Sequence, residues 1–415
     1  MTEAITKKKT PTGTMDIASD LYNLYEEYKT YLENLFKQYG GKGLDTPVFE
    51  IRENLLNKYG DEAEKLLVFN LQDHGGDSHE KYTLRYDLTI PKIRHVVQNN
   101  IVKDRIYSIG KVYRRDHPSS GRFREFYQAD FDIIGESNST MVNEFMLFKM
   151  VIEFMNKINS EYTIHINFTQ NLYHIIVELL GIDITMFKKI CTVIDKLDKN
   201  KFEDVVSELK NNRLDNDKIE QLRLYLEEKT PRDTHSIAMY DKLVGLLSIS
   251  ECESKEASRK NNIIFTPTLA RGLDYYNGII FEVKAKNNNL TIISGGRYDN
   301  LIPNTTLIGL SFGLSRIIDI MKITTENKWK DLYYLATLKG IGFDDKIKIW
   351  NNLENKFKRR IMISDEETDK KLIKIITHCI TNNIKYLYII GPDELKENKV
   401  ILKDLENKTQ ELICL

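Results

Sequence analysis

The first segment of the chain carries an apolar stripe at helical spacing. The stripe comprises Leu21, Leu24, Tyr25, Tyr28, Leu32, Leu35 and Phe36. Spacings of three and four residues place these side chains on one face, so the pattern predicts an amphipathic helix over residues 17–36. Strand patterns dominate residues 81–135, interrupted by one helix, and a further helix is predicted over 141–158.

The pattern changes character over residues 171–228. Ile190, Val193, Ile194 and Leu197 form a helical stripe among many lysines and acids. Strand patterns return at 263–293. The segment is therefore interpreted as a helical insertion between two strand-rich blocks.

A second unit begins after about residue 330. The short apolar runs "LYYLATL", "RIMIS" and "KYLYIIG" are separated by helical patterns. This alternation is typical of a small, mostly parallel α/β sheet. Two domains are therefore predicted, one over 1–325 and one over 330–415.

Composition narrows the class of protein. The chain has 415 residues, of which 41% are hydrophobic and 29% charged, as expected for two or three globular domains. A net charge of −1 predicts no strong unspecific attraction to nucleic acid or membranes. The four cysteines lack metal-type spacing, and no apolar run approaches membrane-spanning length. A cytoplasmic location without a membrane partner is expected.

The stretch "ARGLDYYNGIIFEVKA" combines a turn pattern with chemical groups. Asparagine followed by glycine at 277–278 favours a type I′ turn, so a β-hairpin is predicted there. Arg271, Tyr275 and Tyr276 would lie at its mouth. Taken alone, this stretch is equally consistent with a structural hairpin whose tyrosines only pack.

One predicted strand has two contrasting faces. Phe126, Gln128, Asp130 and Asp132 alternate with apolar residues. Nearby arginines are Arg114, Arg115, Arg122 and Arg124. Guanidinium groups bind phosphate bidentately and stay charged, so this face suits an anionic, aromatic ligand. An ordinary solvated polar face is the alternative.

Two further positions carry candidate chemistry. Asp87 and Thr89 lie where a strand meets the helix that contains Pro91, and they either cap that helix or bind an ammonium group. Arg316 begins an otherwise apolar helix and needs an anionic partner, a carboxylate or a phosphate. The sequence contains no G-x-x-x-x-G-K-[ST] and no G-x-G-x-x-G loop, so strands and arginines would have to hold any nucleotide.

Together these stretches resemble the histidyl-tRNA synthetase family of class II aminoacyl-tRNA synthetases. "RGLDYYNGIIFE" is similar to the histidine-specific motif, and "LRYDLTIP" to a substrate-binding motif. "VYRRDHPSSGRFREFYQADFDIIG" resembles class II motif 2, and "GLSFGLSRI" resembles motif 3. The C-terminal "NIKYLYIIGPDELKENKVILKDL" resembles the anticodon-binding domain of the family.

The resemblance implies an α+β catalytic domain built on an antiparallel sheet with helices, over 1–325. A small C-terminal α/β anticodon-binding domain would occupy 330–415. The helical insertion, 171–228, would lean on the tRNA acceptor arm, or it would form a cap over the active site.

The implied activity is that of a histidine–tRNA ligase. Histidine and ATP would give histidyl-adenylate and pyrophosphate, and histidine would then pass to the 3′ end of tRNA(His). A homodimer is expected, and Mg²⁺ is expected with ATP, although no side-chain ligand for it is identifiable. The alternative is a non-catalytic regulatory relative that senses histidine or tRNA.

The resemblance also implies roles for individual residues. Arg114 and Arg271 would be the catalytic pair on the α-phosphate. The ATP-binding set would be Arg114, Arg122, Phe126 and Arg316, with the Phe126 ring on adenine. The histidine-binding set would be Asp87, Leu88, Thr89, Gln128, Asp132, Tyr275 and Tyr276. Neutral imidazole presents one donor and one acceptor, so Asp132 would accept the ring N–H and a tyrosine would complete the pocket.

The sequence departs from the family pattern at three positions. Ser315 stands where motif 3 commonly has glutamate, and Ser294 and Asn300 stand where glycine is usual. These departures are expected to affect packing and tRNA contacts rather than the groups that carry the chemistry.

Overall fold

The computed structural model describes residues 9–59, 68–72, 81–136, 141–228, 230–251, 263–273, 275–286, 290–320, 332–363, 372–382 and 384–415. The chain separates into two compact units, Met1–Ile323 and Thr324–Leu415.

The first unit is built on an eight-stranded sheet. The strands of this unit are β1 (Lys42–Gly43), β2 (Phe49–Ile51), β3 (Tyr82–Leu84), β4 (Asp104–Tyr113), β5 (Glu125–Ile134), β6 (Tyr162–Phe168), β7 (Ile263–Phe265), β8 (Ile279–Ala285), β9 (Thr291–Arg297) and β10 (Leu307–Phe312). The large sheet has the order β1-β4-β5-β10-β9-β8-β6-β7, and β2 pairs with β3 separately. The two outermost pairs are parallel and the five inner pairs are antiparallel, which confirms the expected antiparallel sheet.

Helices pack against both faces of this sheet. They are α1 (Ser19–Gln38), α2 (Arg52–Tyr59), α3 (Thr89–Gln98), α4 (Val142–Lys157), α5 (Thr169–Tyr173), α6 (Phe187–Asp195), α7 (Phe202–Asn211), α8 (Asn216–Leu226), α9 (Thr234–Glu251) and α10 (Leu314–Ile320). The apolar stripe of α1 is buried, and its Phe36 ring lies 5.4 Å from the Phe131 ring of β5. The core therefore lies between α1, α4 and the sheet, and it leaves the opposite face of β5 for polar side chains.

The segment predicted as an insertion folds around its own core. Helices α5 to α8 enclose buried residues such as Ile190, Val193 and Leu222. The same cluster includes Leu269 and Ala270, which immediately precede Arg271. The insertion is thus packed directly onto the segment that carries this arginine.

The second unit contains a five-stranded sheet. Its strands are β11 (Tyr333–Thr337), β12 (Ile361–Ile363), β13 (Tyr386–Ile390), β14 (Lys399–Asp404) and β15 (Thr409–Cys414), and its helices are α11 (Phe343–Phe357), α12 (Leu372–Thr381) and α13 (Pro392–Lys396). The strand order is β12-β11-β13-β14-β15. Only the first two pairs are parallel, so the prediction of a mostly parallel sheet holds for half of the pairings.

The predicted hairpin turn at 277–278 is wrong. No strand lies directly before it among the described residues, where β7 already ends at Phe265, and Gly278 does not have a positive φ. The Asn277 N–H donates to the Arg297 carbonyl at 2.9 Å, and the Gly278 carbonyl accepts from the Thr169 N–H at 2.9 Å. Long-range pairing therefore replaces the tight turn. Strand β8 pairs instead with β9, which follows it.

Within the described part of the chain, none of the helices is both long and apolar enough to cross a membrane.

Candidate functional site

Residues from four strands and three further segments line a cavity of about 260 Å³, here called the arginine cavity. Its lining comprises Arg114, Asp116, Gly121, Arg122, Phe123, Phe126, Gln128, Arg271, Tyr275, Glu282, Thr291, Ile292, Ile293, Ser294, Ser311, Gly313 and Arg316. The polar face of β5 thus faces an enclosed site, rather than open solvent as in the alternative interpretation. Every arginine predicted to act on ATP lies in this lining.

Arg316 is held by neutral groups and surrounded by positive charge. Its Nε donates to the Gly121 carbonyl at 2.8 Å, and its Nη1 donates to the Thr291 carbonyl at 2.7 Å. Burial lowers the pKa of Arg316, and the neighbouring guanidinium groups of Arg122, Arg114 and Arg271 lower it further. An anion in the cavity would relieve this repulsion.

Arg114 lies against two aromatic rings. Its guanidinium carbon is 4.4 Å from the centroid of Tyr86 and 5.2 Å from that of Phe126, and its Nε donates to the Tyr86 carbonyl at 3.1 Å. Cation–π contacts of this kind hold the planar, charged guanidinium group of Arg114 in a fixed position. The structure therefore brings the predicted α-phosphate ligand and the predicted adenine platform together.

Arg271 is enclosed by three carboxylates. Its Nη1 donates to Glu282 of β8 at 2.7 Å. Its Nε lies 3.4 Å from Asp195, and its Nη2 lies 3.8 Å from Asp198, both in the insertion. Although burial acts in the opposite direction, Glu282, Asp195 and Asp198 raise the pKa of Arg271. Sequence patterns did not indicate these partners, because two of them come from a separate folded segment.

Gln128 presents an unsatisfied acceptor at the cavity. Its Oε1 is buried and accepts no hydrogen bond from any described residue. Buried polar atoms in native proteins nearly always have partners, so an unpaired amide oxygen in a cavity lining suits a donor on a ligand. Of the residues predicted to bind histidine, Gln128 and Tyr275 are in the lining.

The predicted ammonium-binding residues lie at the start of α3, outside the cavity lining as described. Asp87 and Leu88 are buried, and Thr89 is the first residue of the helix. The Asp87 Oδ1 accepts from the Ile90 N–H at 3.0 Å, which confirms the helix-cap interpretation of this residue. A ligand-binding role for these three residues stays a prediction.

Asp132 lies below the cavity in a buried network. Its Oδ2 accepts from the Lys92 ammonium, and its Oδ1 accepts from the Tyr298 hydroxyl. Tyr276 lies beside this network, with its ring centroid 4.3 Å from that of Tyr275 and 6.3 Å from that of Tyr298. Direct contact between Asp132 and an imidazole N–H stays a prediction.

Lys92 and Tyr298 were missed from the sequence. The burial of Lys92 could have been predicted from the sequence. Leu88, Lys92 and Val96 are four residues apart, so the lysine shares one helix face with two apolar residues. All three side chains are buried in the structure. A lysine on a buried stripe indicates an internal carboxylate partner.

Asp130 has an unusual protonation equilibrium. Burial raises its pKa to about 7, and the neighbouring Asp132 carboxylate contributes, while Lys92 and the hydrogen bond from Ser311 act in the opposite direction. The Ser311 hydroxyl donates to its Oδ1 at 2.6 Å. The Asp130 carboxyl therefore titrates near neutral pH, on the face of β5 that also carries Gln128.

The three departures from the family pattern have different settings. The Ser315 hydroxyl is buried and accepts from the Tyr127 N–H at 2.9 Å, so it satisfies the backbone of β5. Ser294 is in the cavity lining. The side chain of Asn300 lies outside what the structure describes.

The described residues contain no group of three or more histidine, cysteine, aspartate or glutamate side chains that could hold a metal ion. The carboxylates in the cavity lining are Asp116 and Glu282. Glu282 accepts hydrogen bonds from Arg271 and from the Thr291 hydroxyl.

Comparison with solved structures identifies the fold. The crystal structure of histidyl-tRNA synthetase from Nostoc sp. PCC 7120 aligns with a TM-score of 0.75 at 20% identity, covering 98% of this chain and 97% of that chain. The mixed sheet with its helices and the second sheet unit are those of a class II aminoacyl-tRNA synthetase.

Sequence comparison identifies the family. Residues 13–317 match the family model described as histidyl-tRNA synthetase, and the chain belongs to that family. It is 33% identical to the cytoplasmic histidine–tRNA ligase of Arabidopsis thaliana over 97% of its own length, but it spans only 47% of that relative. It is also 33% identical to the probable cytoplasmic histidine–tRNA ligase of Vairimorpha ceranae, over 98% of this chain and 97% of the relative.

Proposed function

We propose that this chain is a cytoplasmic histidine–tRNA ligase. It activates histidine with ATP and transfers it to the 3′ end of tRNA(His). The names of its relatives support this activity, substrate and location. The observation that carries the proposal is one cavity with four guanidinium groups beside the Oε1 of Gln128, which has no hydrogen-bond partner among the described residues. Such a site favours anionic phosphates and an amino-acid ammonium group in adjacent places.

ATP occupies the arginine-lined part of the cavity. Phe126 stacks on adenine, and the guanidinium of Arg114 lies between this ring and the α-phosphate. Arg316, already fixed by two backbone carbonyls, directs its remaining N–H groups to the β- and γ-phosphates. The Nε of Arg122 lies 3.9 Å from the Oδ2 of Asp116, and its guanidinium group also binds the phosphates.

The reaction is an in-line displacement at phosphorus. A carboxylate oxygen of histidine forms a bond to the α-phosphorus, and the bond from that phosphorus to the pyrophosphate oxygen breaks, with its electron pair leaving on pyrophosphate. No side chain forms a covalent bond to the substrate. Arg114 and Arg271 hold the two reactants in line and stabilise the extra negative charge of the crowded phosphorus.

Histidine lies between Gln128 and the tyrosines. The Oε1 of Gln128 accepts from the α-ammonium group, assisted by Asp87, Leu88 and Thr89 at the start of α3. Tyr275 and Tyr276 enclose the ring, and Asp132 below them accepts the imidazole N–H. A pocket built from polar partners rejects analogues that lack the matching groups, because its own groups would then be unpaired.

Mg²⁺ would accompany ATP, with phosphate oxygens as its main ligands. Among the described residues, the carboxylates in the cavity lining are Asp116 and Glu282, and Glu282 is already bonded to Arg271, so Asp116 would be the side chain available to hold the ion. The ion would supply charge neutralisation at the leaving pyrophosphate.

The transfer step involves the rest of the chain. The unit Thr324–Leu415 binds the anticodon, the insertion contacts the acceptor arm, and two copies of the chain form the active homodimer. Support for these assignments comes from the family to which the chain belongs.

Two neighbouring arginines provide a matched test. Arg114 lines the cavity, whereas Arg115 is exposed outside the lining. We expect Arg114→Ala to lower the rate of histidine-dependent ATP–pyrophosphate exchange by about 100- to 1000-fold, the usual loss when one transition-state donor is removed. Arg115→Ala is expected to change the rate less than threefold. Equal effects of the two variants would contradict the proposed site.

A further inference from the structure

Lys92 is a buried cation close to the active site that the proposed mechanism does not use. Its side chain is 1% exposed, and its ammonium group pairs with the Oδ2 of Asp132. Lysine is among the residues that are least often fully buried, because its charge loses hydration unless a partner compensates. The pairing therefore needs an explanation beyond packing.

The pair connects the two elements that carry the amino-acid subsite. Lys92 is on α3, one turn after the segment of Asp87, Leu88 and Thr89. Asp132 is on β5, four residues after Gln128 and on the same face of the strand. An ion pair between α3 and β5 fixes the distance between the groups that would bind the ammonium and those that would bind the imidazole.

The charges around the pair are unbalanced without Lys92. Asp130, which shares the pocket floor, interacts with Asp132, Asp87 and Lys92, so three carboxylates share one ammonium group. Asp132 is in turn bonded to Tyr298, whose ring lies 6.5 Å from that of Tyr275 in the cavity lining. A change at Lys92 therefore reaches the cavity through Asp132 and Tyr298.

We propose that Lys92 is a positioning residue of the amino-acid subsite. It holds the carboxylate of Asp132 in place for bound histidine, and it connects α3 to β5. The inference rests on the proposed function, since it takes the ligand to be histidine.

A purely structural role makes a different prediction. Position 92 is on an apolar stripe, where a methionine of similar length would fill the space, and replacing a buried ion pair by uncharged groups is often neutral or stabilising. If the pair only fills the core, Lys92→Met changes stability and leaves histidine affinity unchanged. If Lys92 positions Asp132, Lys92→Met weakens histidine binding in the wild-type background and has no further effect in the Asp132→Asn background.

The test compares Lys92→Met, Asp132→Asn and the double variant by calorimetric titration with histidine and by thermal unfolding. We expect Lys92→Met to weaken histidine binding by at least tenfold, and the ATP affinity to change less than twofold. The double variant is expected to regain thermal stability and to bind histidine as weakly as Asp132→Asn alone.

Lys346 provides the matched control, since it is a fully buried lysine in the second unit. Lys346→Met is expected to lower thermal stability and leave histidine affinity unchanged. A histidine affinity that is unchanged in Lys92→Met, or that falls further in the double variant than in Asp132→Asn, would overturn the inference. So would a wild-type protein that binds no histidine. A wild-type protein that binds histidine but catalyses no pyrophosphate exchange would contradict the proposed function alone, because the binding data would still decide the role of Lys92.

Discussion

Replacement of Gln128 by methionine should move stability and function in opposite directions. The Oε1 of Gln128 is buried without a partner among the described residues, and an unsatisfied buried acceptor costs about 1–3 kcal/mol. Methionine has a similar length and carries no such acceptor. We therefore expect Gln128→Met to raise the free energy of unfolding of the ligand-free protein by about 1–2 kcal/mol.

The same substitution should weaken histidine binding. A hydrogen bond to a charged group contributes about 1.5–3 kcal/mol, which corresponds to about a 10- to 150-fold loss in histidine affinity. Urea unfolding with and without histidine measures both effects in one experiment. The stabilisation that histidine gives to the wild-type protein should largely disappear in the variant.

Asn167 supplies the contrasting control. Its amide is fully bonded, because Nδ2 donates to the carbonyls of Pro267 and Leu269 at 3.1 and 2.9 Å, and Oδ1 accepts from the Phe168 N–H at 2.8 Å. Asn167→Leu leaves these groups unpaired and is expected to destabilise the protein by about 2–4 kcal/mol. The reasoning is refuted if Gln128→Met destabilises the ligand-free protein to a similar extent and leaves histidine affinity unchanged.

Two further predictions concern the floor of the pocket. A Cβ at Gly309 would overlap the Asp132 carboxylate and lie 2.8 Å from the Tyr298 hydroxyl, so Gly309→Ala is expected to cost about 1–3 kcal/mol in urea unfolding and to weaken histidine binding. Gly245→Ala, in open space on α9, should instead stabilise by about 0.5–1 kcal/mol, and equal effects would contradict the predicted overlap. For Asp130, a folded-state pKa of about 7 against 3.8 means that stability is fully present at low pH and is lost as the pH rises from about 4 to about 7. The loss in the free energy of unfolding is at most about 4 kcal/mol at pH 8, and Asp130→Asn should remove it. If the free energy of unfolding of the variant and of the wild-type protein depends on pH in the same way, the raised pKa of Asp130 is contradicted.

Local patterns predicted the parts of the site that a single element determines. Alternation along β5 correctly placed Phe126 and Gln128 on the face opposite the core, because the side-chain period of a strand is two. The arginines of the cavity were found because their motifs have recognisable spacing. The helix cap at Asp87 followed from its position before α3.

The parts that local patterns missed depend on distant residues. The predicted turn at 277–278 failed because its backbone bonds to Arg297 and Thr169, which lie far away in the sequence. Lys92 meets a carboxylate 40 residues away, and Arg271 meets Asp195 and Asp198 across the insertion. Charged residues are expected on the surface by default, so only the folded structure shows which of them are buried in pairs.

The central claim is that this chain activates histidine and attaches it to tRNA. The most direct measurement is the charging of a tRNA(His) transcript by the purified full-length protein, with each of the twenty amino acids supplied in turn with ATP and Mg²⁺. Histidine alone should be attached, and Arg271→Ala should abolish the reaction. A folded protein that binds histidine but forms neither adenylate nor charged tRNA would contradict the proposed activity, and it would indicate a regulatory relative that senses histidine.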